Sequence, residues 1–129
     1  MVIALNKIEG NLEALESLLE ISRLKVIAGD KVFFVLLLEQ NLKDFIHKPI
    51  TLGFKENNVL IARQIKGAQN VFTSSILAIE EDELFMRLSL ECKEANEGKI
   101  YALVPKNKEL RRLKEVDWCV LESEIMVIF

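Results

Sequence analysis

The chain has 129 residues, half of them hydrophobic, with 29% charged and a formal net charge of −3. That length and apolar content supply a real core, and with only two prolines long disorder is excluded. The acidic balance argues against a general nucleic-acid surface, and no apolar run approaches the roughly 18 residues of a membrane helix.

The first five residues, M-V-I-A-L, have neither a basic leader nor a cleavage site, so no secretory signal is expected. In residues 12–24, Leu12, Leu15 and Leu19 fall at helical spacing, and alone they fit an amphipathic helix. A second copy of the same template overrides that reading. The run N-K-I-E-G-N-L-E-A-L-E from Asn6 returns as N-V-F-T-S-S-I-L-A-I-E from Asn70. Asn6 aligns with Asn70, Ile8 with Phe72, Leu12 with Ile76, Ala14 with Ala78 and Glu16 with Glu80, all 64 residues apart. In the second copy residues 75–79 are rich in β-formers, and residues 84–90 alternate at Leu84, Met86, Leu88 and Leu90. Two copies of one template adopt one fold, so strand–turn–strand is expected in both.

A turn follows, tight at 28–31, where Gly29 is free to take positive φ, and longer at 93–98. Buried strands come next, 32–38 and 100–104. A short helix or helical turn is expected at 41–45 and at 108–113, with Pro49 helping to end the first. Each copy closes with two short strands around a polar kink: 50–54 then 59–62, and 117–121 then 125–128. Here F-K-E-N-N-V-L-I-A from Phe54 aligns with V-L-E-S-E-I-M-V-I from Val120, 66 residues apart. The expected fold is all-β: two tandem OB-like five-stranded barrels, each with one short helix. The repeats are 1–64 and 65–129. Each copy is expected to form its own barrel, with an approximate two-fold axis between them. The linker 64–69 is short, so the barrels should touch, and each is small enough to need the other.

Few residues carry chemistry. Cys92 and Cys119 lack CxxC spacing and read as buried free thiols suited to a reducing cytosol. His47 is the only histidine and reads as a surface loop residue; zinc is not expected. The run Glu80-Glu81-Asp82-Glu83 reads as a solvated charged turn. No nucleophile or acid/base set appears, so no enzyme and no cofactor are expected. Asn6 and Asn70 either cap the start of a strand or serve a site. Asn57 and Asn58 are either a plain turn or donors, and Lys55 is either solvated or a ligand. Trp118 and Phe54 read as barrel core.

The doubled pattern of opening segment, hairpin, short helix and closing F-K-E-N-N-V resembles the TOBE, or Mop-like, molybdate-binding family in its tandem, di-Mop arrangement. The resemblance implies an oxyanion, molybdate or tungstate, bound where two barrels meet by backbone amides of the opening segment and closing kink. A tetrahedral dianion offers only acceptors, so converging N–H groups can hold it without a metal. The family's opening, Ser-Ala-Arg-Asn, is matched by Ala4 and Asn6 around Leu5, and by Ala68 and Asn70 around Gln69. Leu5 and Gln69 stand where the family has arginine. The family's kink is matched by Lys55, Glu56, Asn57 and Asn58 in the first copy. In the second, Leu121, Glu122, Ser123 and Glu124 lack the lysine and bring carboxylates, so that kink is expected to bind more weakly or not at all.

The function so implied is a cytoplasmic molybdate- or tungstate-binding protein for storage, homeostasis or supply to molybdenum cofactor synthesis. It would assemble as a homo-oligomer, a trimer before a dimer, with molybdate transporter or regulator components as possible partners. No direct nucleic-acid binding and no membrane insertion are expected. Two alternatives stay open: a ligand-sensing regulatory module acting through a partner, and an assembly module that has lost its ligand.

Overall fold

The computed structural model describes residues 2–38 and 41–129; Met1, Glu39 and Gln40 lie outside the described residues. Ten strands make up most of it: β1 (Leu5–Leu18), β2 (Ile21–Ala28), β3 (Lys31–Leu38), β4 (Pro49–Lys55), β5 (Leu60–Ala62), β6 (Val71–Glu81), β7 (Phe85–Glu91), β8 (Lys99–Pro105), β9 (Glu115–Cys119) and β10 (Met126–Ile128). Residues 12–24 are strand–turn–strand, as the second copy requires. The helical spacing of their leucines is overridden by β pairing, which buries Leu12 and Leu24 and leaves Leu19 at the exposed tip. The template also carries one irregularity twice. A bulge falls between Leu12 and Ala14 in β1 and between Ile76 and Ala78 in β6, at aligned positions. The short helices are single 3-10 turns at Lys43–Phe45 and Leu110–Arg112. Gly29 takes φ +61° in the tight turn.

The strands form two five-stranded sheets, ordered β10-β4-β1-β2-β3 and β5-β9-β6-β7-β8. They are two tandem OB-like barrels, but one expectation is corrected. Neither copy closes its own barrel, because the fifth strand is exchanged. β10, the last strand of the second copy, pairs with β4, setting Met126 against Gly53 and Ile128 against Thr51. β5, the last strand of the first copy, pairs with β9, setting Leu60 against Cys119 and Ala62 against Asp117. The kinks make the crossing. Lys55 and Val59 are extended on either side of a 3-10 turn, Glu56–Asn58, and Leu121 and Ile125 flank the matching turn Glu122–Glu124 in the same way. Gly53 permits the close approach of β10, since a Cβ there would lie 2.6 Å from Ile128 Cδ1.

Exchange gives the halves one core instead of two. Trp118 of β9 is fully buried and packs on Phe72 of its own half (ring centroids 4.9 Å apart), and on Phe54 (6.1 Å) and Phe33 (6.4 Å) of the other. Its indole N–H donates to Ser74 Oγ at 2.9 Å, satisfying the polar edge of a buried ring. Two modules too small to hold a large core alone thus share one apolar cluster. Each aromatic of this size contributes about 2–3 kcal/mol by burial, so the shared ring cluster is a main tie between the halves.

Candidate functional site at the meeting of two kinks

The first opening segment adjoins its kink, and the second adjoins the end of β9 from which its kink departs. In the first half Glu56 N–H donates to Ala4 O at 3.0 Å, and Leu5 stands opposite Lys55 in the β1–β4 ladder. In the second half the Asn70 side chain donates to Val120 O at 3.0 Å, and the Cys119 thiol donates to Gln69 O at 3.3 Å. Leu5, Lys55, Asn57, Ala68, Gln69 and Ser123 are exposed, Ala4 and Asn58 are half-buried, and Asn6, Glu56 and Asn70 are buried.

The buried members are committed to the fold. Asn6 Nδ2 donates to Tyr101 O at 2.9 Å, and its Oδ1 accepts from Tyr101 N–H at 2.8 Å. Asn70 repeats this on Phe34, accepting from its N–H at 2.7 Å and donating to its carbonyl at 2.8 Å. Tyr101 lies in β8 and Phe34 in β3, so each asparagine clamps the third strand of the opposite half. Both fill the hydrogen-bonding capacity of a backbone unit at a seam where no ladder continues. These are side-chain-to-backbone bonds of the kind that the strand-capping alternative names. The distance across halves lay beyond it.

Glu56 is a second clamp. Its carboxylate is 0% exposed and is gripped by Arg87 of β7, with Nη2 at 2.6 Å from Oε1 and Nε at 3.0 Å from Oε2. Arg87 Nη2 also donates to Val2 O at 3.0 Å. The Glu56 carboxylate holds the Arg87 guanidinium above its usual pKa. The counterpart is Glu122 with Arg23 of β2, where Nη2 and Nε lie 2.8 and 2.9 Å from Oε1. Arg23 also stacks over the Phe34 ring, its Cζ 4.2 Å from the centroid. Neither arginine was singled out from the sequence. The signal was available, because the 64-residue spacing aligns Arg23 with Arg87 and the 66-residue spacing aligns Glu56 with Glu122.

The two kinks also touch each other. Asn58 Nδ2 donates to Glu124 Oε2 at 3.1 Å, and these residues occupy aligned positions. A contact between equivalent residues marks the approximate two-fold axis, as in an isologous interface. The kinks therefore belong to one region: the lysine-bearing kink and the acidic kink, far apart in sequence, are neighbours in the fold.

Beside Asn57 opens a groove of about 690 Å³, lined by Ile3, Asn57, Asp82, Glu83, Leu84, Phe85 and Leu103. Its rim disfavours anions. The N–H groups of Phe85 and Leu84 hold the Asp82 carboxyl below its usual pKa, so it stays charged. Of the remaining chemical candidates, His47 is an exposed loop residue, as expected. The acidic run is exposed but only partly a turn: Glu80 and Glu81 end β6, paired with Arg87 and Met86 of β7, and only Asp82 and Glu83 lie in the turn. Both cysteines are buried free thiols, and burial pushes Cys92 up to about 11, which makes it a poor nucleophile near neutral pH. Among the described residues no helix is long and apolar enough to cross a membrane.

No family model and no curated protein matches the chain. Among solved structures it is similar to the cytoplasmic molybdate-binding protein ModG, in a form with molybdate bound. The TM-score is 0.83 at 16% identity, over 95% of this chain and 94% of that chain. At that identity the likeness shows the fold, shared across nearly the full length of both chains.

Proposed function

We propose that the chain binds a tetrahedral oxyanion, molybdate or tungstate, at the junction of the opening segments and kinks, and catalyses no reaction. The observation that carries this reading is the end-to-end fold match to a molybdate-binding protein. The proposed donors are main-chain N–H groups at Leu5, Gln69, Asn57, Asn58 and Ser123, with Lys55 as the charged contact and the Asn58 amide as a side-chain donor. Asn6 and Asn70 hold the opening segments in place, and Glu56 holds its kink through Arg87. The cellular role is cytoplasmic storage, buffering or supply of the oxyanion to molybdenum cofactor synthesis. The working unit is a homo-oligomer, with a trimer favoured.

A second reading, an assembly module that has lost its ligand, draws support from one observation. The kink side chains Glu56, Asn58, Glu122 and Glu124 are all engaged in contacts between the halves. Calorimetric titration with molybdate, tungstate and sulfate separates the two. Saturable heat with the first two and little with sulfate supports the oxyanion reading. No heat with any at millimolar concentration leaves the assembly reading.

A further inference from the structure

We propose that Glu124 is a built-in competitor for the oxyanion, an inference that rests on the function proposed above. Three carboxylates stand at the kinks, and the fold treats them differently. Glu56 and Glu122 are each neutralised by an arginine of the opposite half. Glu124 is met instead by a neutral amide, Asn58 Nδ2 at 3.1 Å, and among the described residues it makes no ion pair. The Asn58 N–H thus already points at a carboxylate oxygen, the same kind of acceptor that an oxyanion would bring. Because the contact crosses the approximate two-fold axis, this carboxylate acts on the lysine-bearing kink as well as on its own. An incoming dianion must displace Glu124 from Asn58 and then tolerate a like charge nearby.

The consequence is a site set for release instead of retention. It fills when the oxyanion is abundant, and the carboxylate returns to Asn58 when it leaves. The repulsion is moderated by solvent, since Glu124 is exposed, so the expected effect is a shift in affinity and not a block.

The test is calorimetric titration of molybdate into the full chain, unmodified and as Glu124→Gln and Glu124→Ala, with thermal unfolding confirming that each variant is folded. Glutamine keeps an acceptor for Asn58 and removes the charge, whereas alanine removes both. Both variants are expected to bind molybdate at least about three-fold more tightly than the unmodified chain. Binding by the variants alone supports the proposal equally. If the unmodified chain binds and both variants bind equally or more weakly, the competitor role is overturned while the oxyanion reading stands. If none of the three binds at millimolar molybdate, both fall together.

Discussion

At the scale of single residues, the two asparagines decide how the halves hold together. Removing the Asn6 side chain strands the N–H and carbonyl of Tyr101 at a part-buried seam. Asn6→Ala and Asn70→Ala are each expected to cost about 2–4 kcal/mol, since a desolvated group without a partner costs about 1–3 kcal/mol. Urea denaturation measures this, and a loss below about 1 kcal/mol would relegate the clamp to decoration. Asn70 has a further constraint, φ +55°, which asparagine tolerates better than alanine. Leu19 presents the opposite case. It sits at the β1–β2 tip with φ +56° and 95% exposure, a leucine in the left-handed region with little to pack on. Leu19→Asn is expected to stabilise the chain by about 1 kcal/mol, read as a rise of a few degrees in Tm. Asp117 adds a pH dependence. The Thr73 hydroxyl and the Ile65 N–H hold its carboxyl below the usual carboxylate range. That stabilisation is present above the unfolded pKa and is lost as pH falls through the depressed folded value. Asp117→Asn should therefore flatten the stability curve below about pH 4 while leaving its slope at neutral pH unchanged.

At the scale of elements, the two kinks follow one template with unequal energetics. The Glu56–Arg87 pair is the deeper, with side chains 0% and 20% exposed, against 21% and 38% for Glu122–Arg23. Truncating the arginine of a buried pair leaves an uncompensated buried charge, which costs about 3–5 kcal/mol. Truncating the arginine of a half-exposed pair costs about 1 kcal/mol, because water reclaims the carboxylate. Arg87→Ala should accordingly destabilise far more than Arg23→Ala, and equal losses in a denaturant titration would refute the burial argument. Much of this level was legible in the sequence. The alternation at Leu84, Met86, Leu88 and Leu90 located β7, and the repeat corrected the helical look of residues 12–24. The site was legible only in part. Opening segments and kinks were identified, but a carboxylate in a kink reads as repulsion for an anion until the arginine that neutralises it is placed. Arg23 and Arg87 come from hairpins remote in sequence, so only the fold brings them there.

At the scale of the whole molecule, strand exchange is what the sequence did not disclose, for a physical reason. A repeat aligns residues that occupy equivalent positions, and β5 and β10 are equivalent whether each closes its own barrel or its neighbour's. The alternation, the kink and the buried Val59 and Ile125 are identical in the two arrangements. Deleting residues 125–129 distinguishes them. In a chain of self-contained barrels, that deletion would unpair the second half and leave β4 protected. Here β10 lies on β4, with Met126, Val127 and Ile128 opposite Gly53, Leu52 and Thr51. Its loss removes the ladder partner on that side of β4 and uncovers the surface that Ile128 fills beside Gly53. The β9 strand keeps β5 and β6 on its two sides. Amide exchange measured on the folded fraction of the truncated chain should therefore accelerate at residues 51–53 by at least about ten-fold, corresponding to about 1.4 kcal/mol of lost local stability. Residues 117–119 should change much less. Faster exchange at 117–119 with β4 unaltered would place the last strand back on its own repeat and remove the exchange from the fold.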